Sequence, residues 1–173
     1  MSLAYRRAED RDRPFILSSW SSSFADAHHA GPIPFPLYAS IYRDQVLPWI
    51  LARPGVDVWV AHDPDADQGS DLYGWIAVER GVFLPVRERV REGGDVRWVE
   101  RLKPTDQPLL LWIFVKQARR QLGIARGLFK AAEIDPTQPF LFALKGSSWS
   151  RLRHLAPHAT WSPMTVRFSK EHL

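Results

Sequence analysis

Residues 108–115, "PLLLWIFV", form the most apolar run in the chain, and "RRQLGIARG" (119–127) follows as a basic turn entering a helical pattern. A strand that is apolar on both faces is buried on both sides, so 108–115 reads as the central strand of a sheet. Within "GIARGLFKAAEI" (123–134), Ile124, Leu128 and Ala131/Ala132 recur on one helical face, and "DPTQP" (135–139) ends the helix. "FLFAL" (140–144) is a second buried strand. Strand, tight turn, helix, strand describes a crossover unit with parallel strands.

Upstream of this unit the pattern changes. "LAYRRAE" (3–9) reads as a short strand and "DRDRPFILSSWSSSFADA" (10–27) as a helix, with Asp10 or Asp12 as cap and Pro14 in the first turn. Ile16, Trp20 and Phe24 form its apolar stripe. "HHAGPIPFP" (28–36) is a loop. A second helical pattern starts near Leu37, with Ile41 and Val46 inward, and Pro48 should break it, leaving "PWILAR" as a short extra helix. "VDVWVAH" (56–62) and "LYGWIAVE" (72–79) flank a polar turn and predict an antiparallel hairpin. Residues 80–107 hold a Gly-Gly turn and a possible strand arm, "VRWVERL", with arginines interleaved with acids in the manner of a solvated surface. "SSWSRLRHLAPH" (147–158) reads as a last helix and "TWSPMTVRF" (160–168) as one or two closing strands. The expected fold is α/β, of the α+β kind with a mixed central sheet. An antiparallel N-terminal half joins one β-α-β crossover, with helices flanking.

The 173 residues suit one domain, 1–173, and 45% apolar content is enough for a core. No apolar run approaches the ~20 residues that span a bilayer, and the N-terminus lacks the apolar core of a signal peptide. These features lead us to expect a cytoplasmic protein without membrane contact. The absence of cysteine excludes disulfides, thiolate metal sites and a cysteine nucleophile. Charge is uneven. Residues 116–173 hold 10 Lys/Arg against 3 Asp/Glu, a net +7, whereas residues 1–115 stand at −3. A basic face of this kind attracts polyanions.

The basic turn has three properties of a phosphate site. A buried strand aims it, small residues (Gly123, Ala125) let an anion approach the backbone, and Arg119, Arg120 and Arg126 flank it. Helix N-termini offer unpaired N–H groups and a positive dipole end to phosphates. The stretch is neither a dinucleotide fingerprint nor a P-loop, since it lacks the further glycines of the first and the Gly-Lys-Ser/Thr ending of the second.

"VKQARRQLGIA" (115–125) resembles the acetyl-coenzyme-A loop of the GNAT family of N-acetyltransferases, Arg/Gln-x-x-Gly-x-Gly/Ala after a hydrophobic strand, matched by Arg120, Gly123 and Ala125. The order of elements resembles that family over nearly the whole chain. The "ILSSW" helix and compact tail are also similar to acetyltransferases of tailed bacteriophages, which would put the protein in a host cytoplasm. The resemblance implies a GNAT-like fold and direct acetyl transfer from acetyl-CoA to a primary amine. It further implies that backbone groups of Phe114, Val115 and Lys116 pair with the pantetheine arm. The amides of Gln121, Leu122, Gly123, Ile124 and Ala125 would hold the pyrophosphate, with charge from Arg119 and Arg120 and with Arg126 alongside in the cofactor site. Lys130 or Lys116 would meet the 3′-phosphate.

Catalytic residues are less legible. The tyrosine that many family members carry in the last helix is missing from 147–158, leaving Ser150, His154 or His158 as candidate proton donors to the thiolate. Strand 108–115 carries no carboxylate, so Glu79 is the candidate base. Asp26, His28 and His29 could face the acceptor, but two adjacent histidines without a third ligand do not suggest a metal. Residues 27–54 and 80–107 are expected to shape the acceptor pocket. The acceptor is an amine on a small molecule, a protein or a nucleic acid, and the protein a monomer or homodimer. Two other readings stay open: a catalytically weak CoA-binding regulatory module, and a basic nucleic-acid-binding domain without a cofactor.

Overall fold

A computed structural model describes residues 2–25, 35–66, 72–92, 94–143 and 156–162. Eight strands and four α-helices follow in chain order among them: β1 (Ala4–Arg7), α1 (Arg13–Ala25), α2 (Phe35–Ile41), α3 (Leu47–Leu51), β2 (Val56–His62), β3 (Leu72–Glu79), β4 (Phe83–Glu92), β5 (Asp95–Pro104), β6 (Leu109–Val115), α4 (Ile124–Ala131), β7 (Phe140–Phe142) and β8 (Ala159–Trp161). The main sheet has the order β1-β2-β3-β6-β7-β8. Its first four strands are antiparallel neighbours, and β6/β7 and β7/β8 are parallel. The hairpin 56–79 and the β6-α4-β7 crossover lie as the apolar pattern predicts, with a second parallel pair added by β8. No helix among the described residues is long and apolar enough to cross a membrane.

Every residue of β3 is buried, because the sheet is covered on both faces. On one face Trp75, Ala77, Leu109 and Leu111 meet Ile16 and Trp20 of α1 and Leu47 and Ile50 of α3. On the other, Ile76, Val78, Leu110, Phe140 and Phe142 meet Ile124, Leu128 and Phe129 of α4. The serine run of α1 has a purpose here. Trp75 Nε1 donates to Ser19 Oγ at 2.8 Å and Trp112 Nε1 donates to Ser23 Oγ at 3.1 Å. Buried indoles need an acceptor, and serine supplies one without interrupting the helix surface. Trp20 lies between these rings, 5.1 Å from Trp75 and 6.3 Å from Trp112 by centroid.

Three expectations about the helices need correction. Asp12 does not cap α1 but turns back, accepting Glu9 N–H at 2.8 Å and two bonds from the Arg6 guanidinium at 2.6 and 2.9 Å. Burial would push this carboxyl up, but the bonds from Arg6 and Glu9 outweigh it and hold Asp12 below the usual carboxylate range. Pro48 does not break its helix. It sits in the first turn of α3, and the disturbance falls just before it, as a π-helical turn at Tyr42–Val46. That turn shifts the helical phase, so Ile41 is exposed while Leu47 and Ile50 fill the core. Finally, Ala156–His158 is not helical. Pro157 disfavours helix in the residue before it and offers no N–H. The rest of the expected helix 147–158, the side chain of Phe24, and the loop 28–34 lie outside the described residues.

Residues 80–107, the least legible stretch, form the antiparallel ribbon β4–β5. It is a separate two-stranded sheet running from Phe83↔Pro104 to Glu92↔Asp95.

Gly127, the last glycine of "RRQLGIARG", serves packing. A Cβ there would overlap the phenol ring of Tyr5, which β1 presses against α4. Gly127→Ala therefore lowers stability by about 1–3 kcal/mol through overpacking, although alanine is the better helix former. Thermal melts of Gly127→Ala and of Gly127→Ala/Tyr5→Val check this. The first should lose several degrees and the second should recover part of them.

Candidate functional site

Strand β6 is irregular where its sequence is most uniform. Opposite β3 the register jumps from Ala77↔Trp112 to Val78↔Leu110, so Leu111 is an extra residue, a β-bulge. The side-chain alternation slips with it: Leu111 and Trp112 both face α1. The bulge also marks where β7 stops pairing, since the parallel ladder consists of Leu109↔Leu141 and Leu110↔Phe142. Beyond it, β6 keeps β3 on one edge, and no described strand pairs with the other.

The open edge can be resolved into atoms. Lys116 N–H donates to Tyr73 O at 2.8 Å. Backbone groups alternate sides along an antiparallel strand, so Trp112, Phe114 and Lys116 turn theirs toward β3, whereas Ile113 and Val115 turn theirs to the open edge. Lys116 N–H is thus committed to Tyr73 and Phe114 turns its backbone groups to β3, whereas those of Ile113 and Val115 are the ones an extended ligand could meet.

After Val115 the chain makes a 3-10 turn at Gln117–Arg119, then enters α4 through two left-handed residues, Gln121 (φ 72°) and Gly123 (φ 75°). Glutamine in this conformation is uncommon and stores strain of the kind found at ligand sites. The consequence is a row of donors. The N–H groups of Gln121 through Arg126 meet no protein acceptor among the described residues, and the first bond of α4 runs from Gly127 N–H to Gly123 O at 3.1 Å. Left-handed residues next to a helix start gather such groups into an anion-binding concavity. A Cβ at Gly123 would meet nothing within 4 Å, so the concavity opens to solvent.

The cations are arranged around it. Arg119 lies over the Tyr73 ring at 4.8 Å and Lys116 Nζ over Phe15 at 5.1 Å. Arg120 Nε reaches Val115 O at 3.4 Å. Arg120, Arg126 and Lys130 are exposed and have no ion pair among the described residues. Lys130 stands in the last turn of α4.

Glu79 is not the solvated strand-end charge its position suggests. It is buried, at the end of β3 beside the bulge, and Arg53 Nη2 donates to its Oε2 at 2.8 Å. Arg53 is also stacked on Trp49 at 5.1 Å, and burial lowers its pKa against the opposing charge of Glu79. His158 is exposed in the turn before β8. Ser150, His154, Asp26, His28 and His29 lie outside the described residues. No group of metal-ligating side chains occurs among the described residues.

No family model and no curated protein matches the chain. Solved structures do. A ribosomal-protein-alanine N-acetyltransferase from Brucella melitensis biovar Abortus 2308 is 19% identical over 97% of this chain and 100% of its own, with a TM-score of 0.50. A GNAT family acetyltransferase from Brucella melitensis in complex with acetyl-CoA is 16% identical over 76% and 66%, with a TM-score of 0.48. An aminoglycoside 6′-N-acetyltransferase from Acinetobacter baumannii is 16% identical over 98% of each chain, with a TM-score of 0.47. The first of these establishes a shared fold: the chain has the mixed α/β architecture of acyl-CoA N-acyltransferases. The likeness to bacteriophage enzymes gains no support from these structures.

Gly123→Ala places a methyl group in open space but in a left-handed conformation, which costs roughly 1–2 kcal/mol for an L-residue. Urea unfolding should show that loss with an unchanged m-value.

Proposed function

We propose that this chain is an N-acetyltransferase of the GNAT family that takes acetyl-CoA as co-substrate and acetylates a primary amine. The observation that carries the proposal is the row of unsatisfied N–H groups from Gln121 to Arg126, placed at the end of an open strand edge. The donor set suits a pyrophosphate, being neutral amides at a helix start with Arg119, Arg120 and Arg126 around them. The outward backbone groups of Ile113 and Val115 suit the amides of an extended pantetheine arm, which would lie along β6 as a surrogate strand. Lys116 or Lys130 is our proposed contact to a 3′-phosphate.

When bound, acetyl-CoA supplies a thioester whose carbonyl carbon the amine attacks, with the C–S bond breaking as the C–N bond forms. The chain's own contribution is position and proton handling. We propose that the reacting end would lie near the bulge, beyond the last β6/β7 pair, to which the loop and strand edge would direct it. Glu79 lies near this end of the sheet and is our proposed proton acceptor. It would have to loosen from Arg53 to take up a proton. Ser150 and His154 remain the proposed donors to the departing thiolate. The acceptor amine would enter from the side of α2 and β4–β5, and a small molecule, a protein or a nucleic acid could carry it.

Acetyl-CoA or CoA at a hundredfold excess over Kd should stabilise the protein by about 2.7 kcal/mol, read as a thermal shift. Gly123→Glu, which puts a carboxylate into the anion site, should abolish the shift while leaving the fold intact by circular dichroism. Wild-type protein that melts identically with and without both coenzymes would refute the proposal. Glu79→Gln should lower stability by about 3 kcal/mol, because it leaves a buried arginine without its counter-ion. With Glu79 as the base, the variant also loses kcat by orders of magnitude while the acetyl-CoA thermal shift is kept; an unchanged kcat assigns proton uptake to another group.

A further inference from the structure

The outer face of the ribbon β4–β5 is the part of the fold that the proposed reaction leaves unexplained. Its two faces differ. One carries Leu84, Val86 and Val90, half-buried, with Leu84 packed against the core, and on it Glu88 is paired with Arg101 and Lys103. The opposite face carries Arg87, Arg89 and Arg91 along β4, all exposed. Across from them on β5 stand Glu100, Trp98 and Val96. Glu100 is 3.7 Å from Arg87, whereas Arg89 and Arg91 have no ion pair among the described residues. Trp98 is 68% exposed, directly opposite Arg89. An aromatic ring of that size left in water beside two unneutralised arginines is costly without a partner.

We propose that this outer face binds a single-stranded segment of nucleic acid, with Arg89 and Arg91 on successive phosphates and Trp98 stacked on a base. Residues at i and i+2 of a strand are ~6.8 Å apart on one face, a spacing comparable to that of neighbouring phosphates along an extended strand. A basic track with an interleaved aromatic platform is how proteins hold single strands without reading sequence. A second copy of the chain fits less well. Ten residues of a two-stranded ribbon present a face of roughly 34 Å by 10 Å, well short of the ~800 Å² per partner of a stable interface. Two such faces would also oppose like charges. The site is distant in sequence from the Gln121–Arg126 amides and stands independently of the coenzyme reading.

The test is fluorescence anisotropy of the full-length protein with labelled oligouridylate, oligothymidylate and a duplex of equal length, over a salt series. Both single strands should bind, RNA and DNA alike, and the duplex more weakly. Arg89→Glu/Arg91→Glu should weaken binding at least tenfold and flatten the slope of log K against log salt by about 1.4, or ~0.7 for each phosphate no longer neutralised. Trp98→Ala should weaken binding about tenfold with the slope unchanged. The side chains replaced are exposed, so thermal melts and the acetyl-CoA shift should match wild type, which separates this site from the coenzyme site. The proposal is overturned if both variants bind as wild type does, if the duplex binds as tightly as the single strands, or if polyglutamate displaces the oligonucleotide at equal charge concentration.

Discussion

The bulge at Leu111 is the constraint on which the rest depends. A regular β6 would keep its side-chain alternation unbroken opposite β3. One extra residue changes the phase of the strand, turns Leu111 and Trp112 to the same face and ends the parallel ladder after Leu110. Two pairs of backbone groups, those of Ile113 and Val115, are left without a strand partner among the described residues at the mouth of the loop. Edge groups of this kind are usually a liability. Here the loop and α4 carry a row of amide donors to the same end of the strand, which is what the proposed coenzyme site uses.

The covering helices hold this arrangement in place. The serines of α1 accept from Trp75 on β3 and Trp112 on β6, so one helix is tied to both strands just beyond the bulge. On the other face Gly127 lets Tyr5 of β1 approach α4, tying the edge strand to the helix whose start forms the donor row. The two glycines of "RRQLGIARG" thus have different duties: Gly123 supplies a backbone angle, and Gly127 supplies space.

Much of this was legible in the sequence. The apolar run 108–115, the helical stripe of Ile124 and Leu128 and the paired strands 56–62 and 72–79 each bury a face large enough to impose its period on the residues. The bulge was not legible, because "LLLWIF" is apolar at every position and a phase slip within it leaves no mark. The ribbon was obscured for the opposite reason: charges occupy both of its faces, since even the inner one holds Glu88 with Arg101 and Lys103. The π-helical turn was displaced from the proline that provokes it. Glu79 looked like an exposed charge because its partner, Arg53, lies 26 residues away in sequence.

The placement of the ribbon has an architectural consequence. Strands β3 and β6 are neighbours in the sheet, with Glu79 facing Leu109, yet the whole of β4–β5 is inserted between them in sequence. The main ladder closes across the insertion. The ribbon's own pairing is local, a hairpin whose strands meet through a short turn, so its formation requires no long loop to close beforehand. The arm can therefore be lengthened, shortened or exchanged without breaking a hydrogen bond of the six-stranded sheet. The ribbon is thus a natural graft point for altering what the protein approaches.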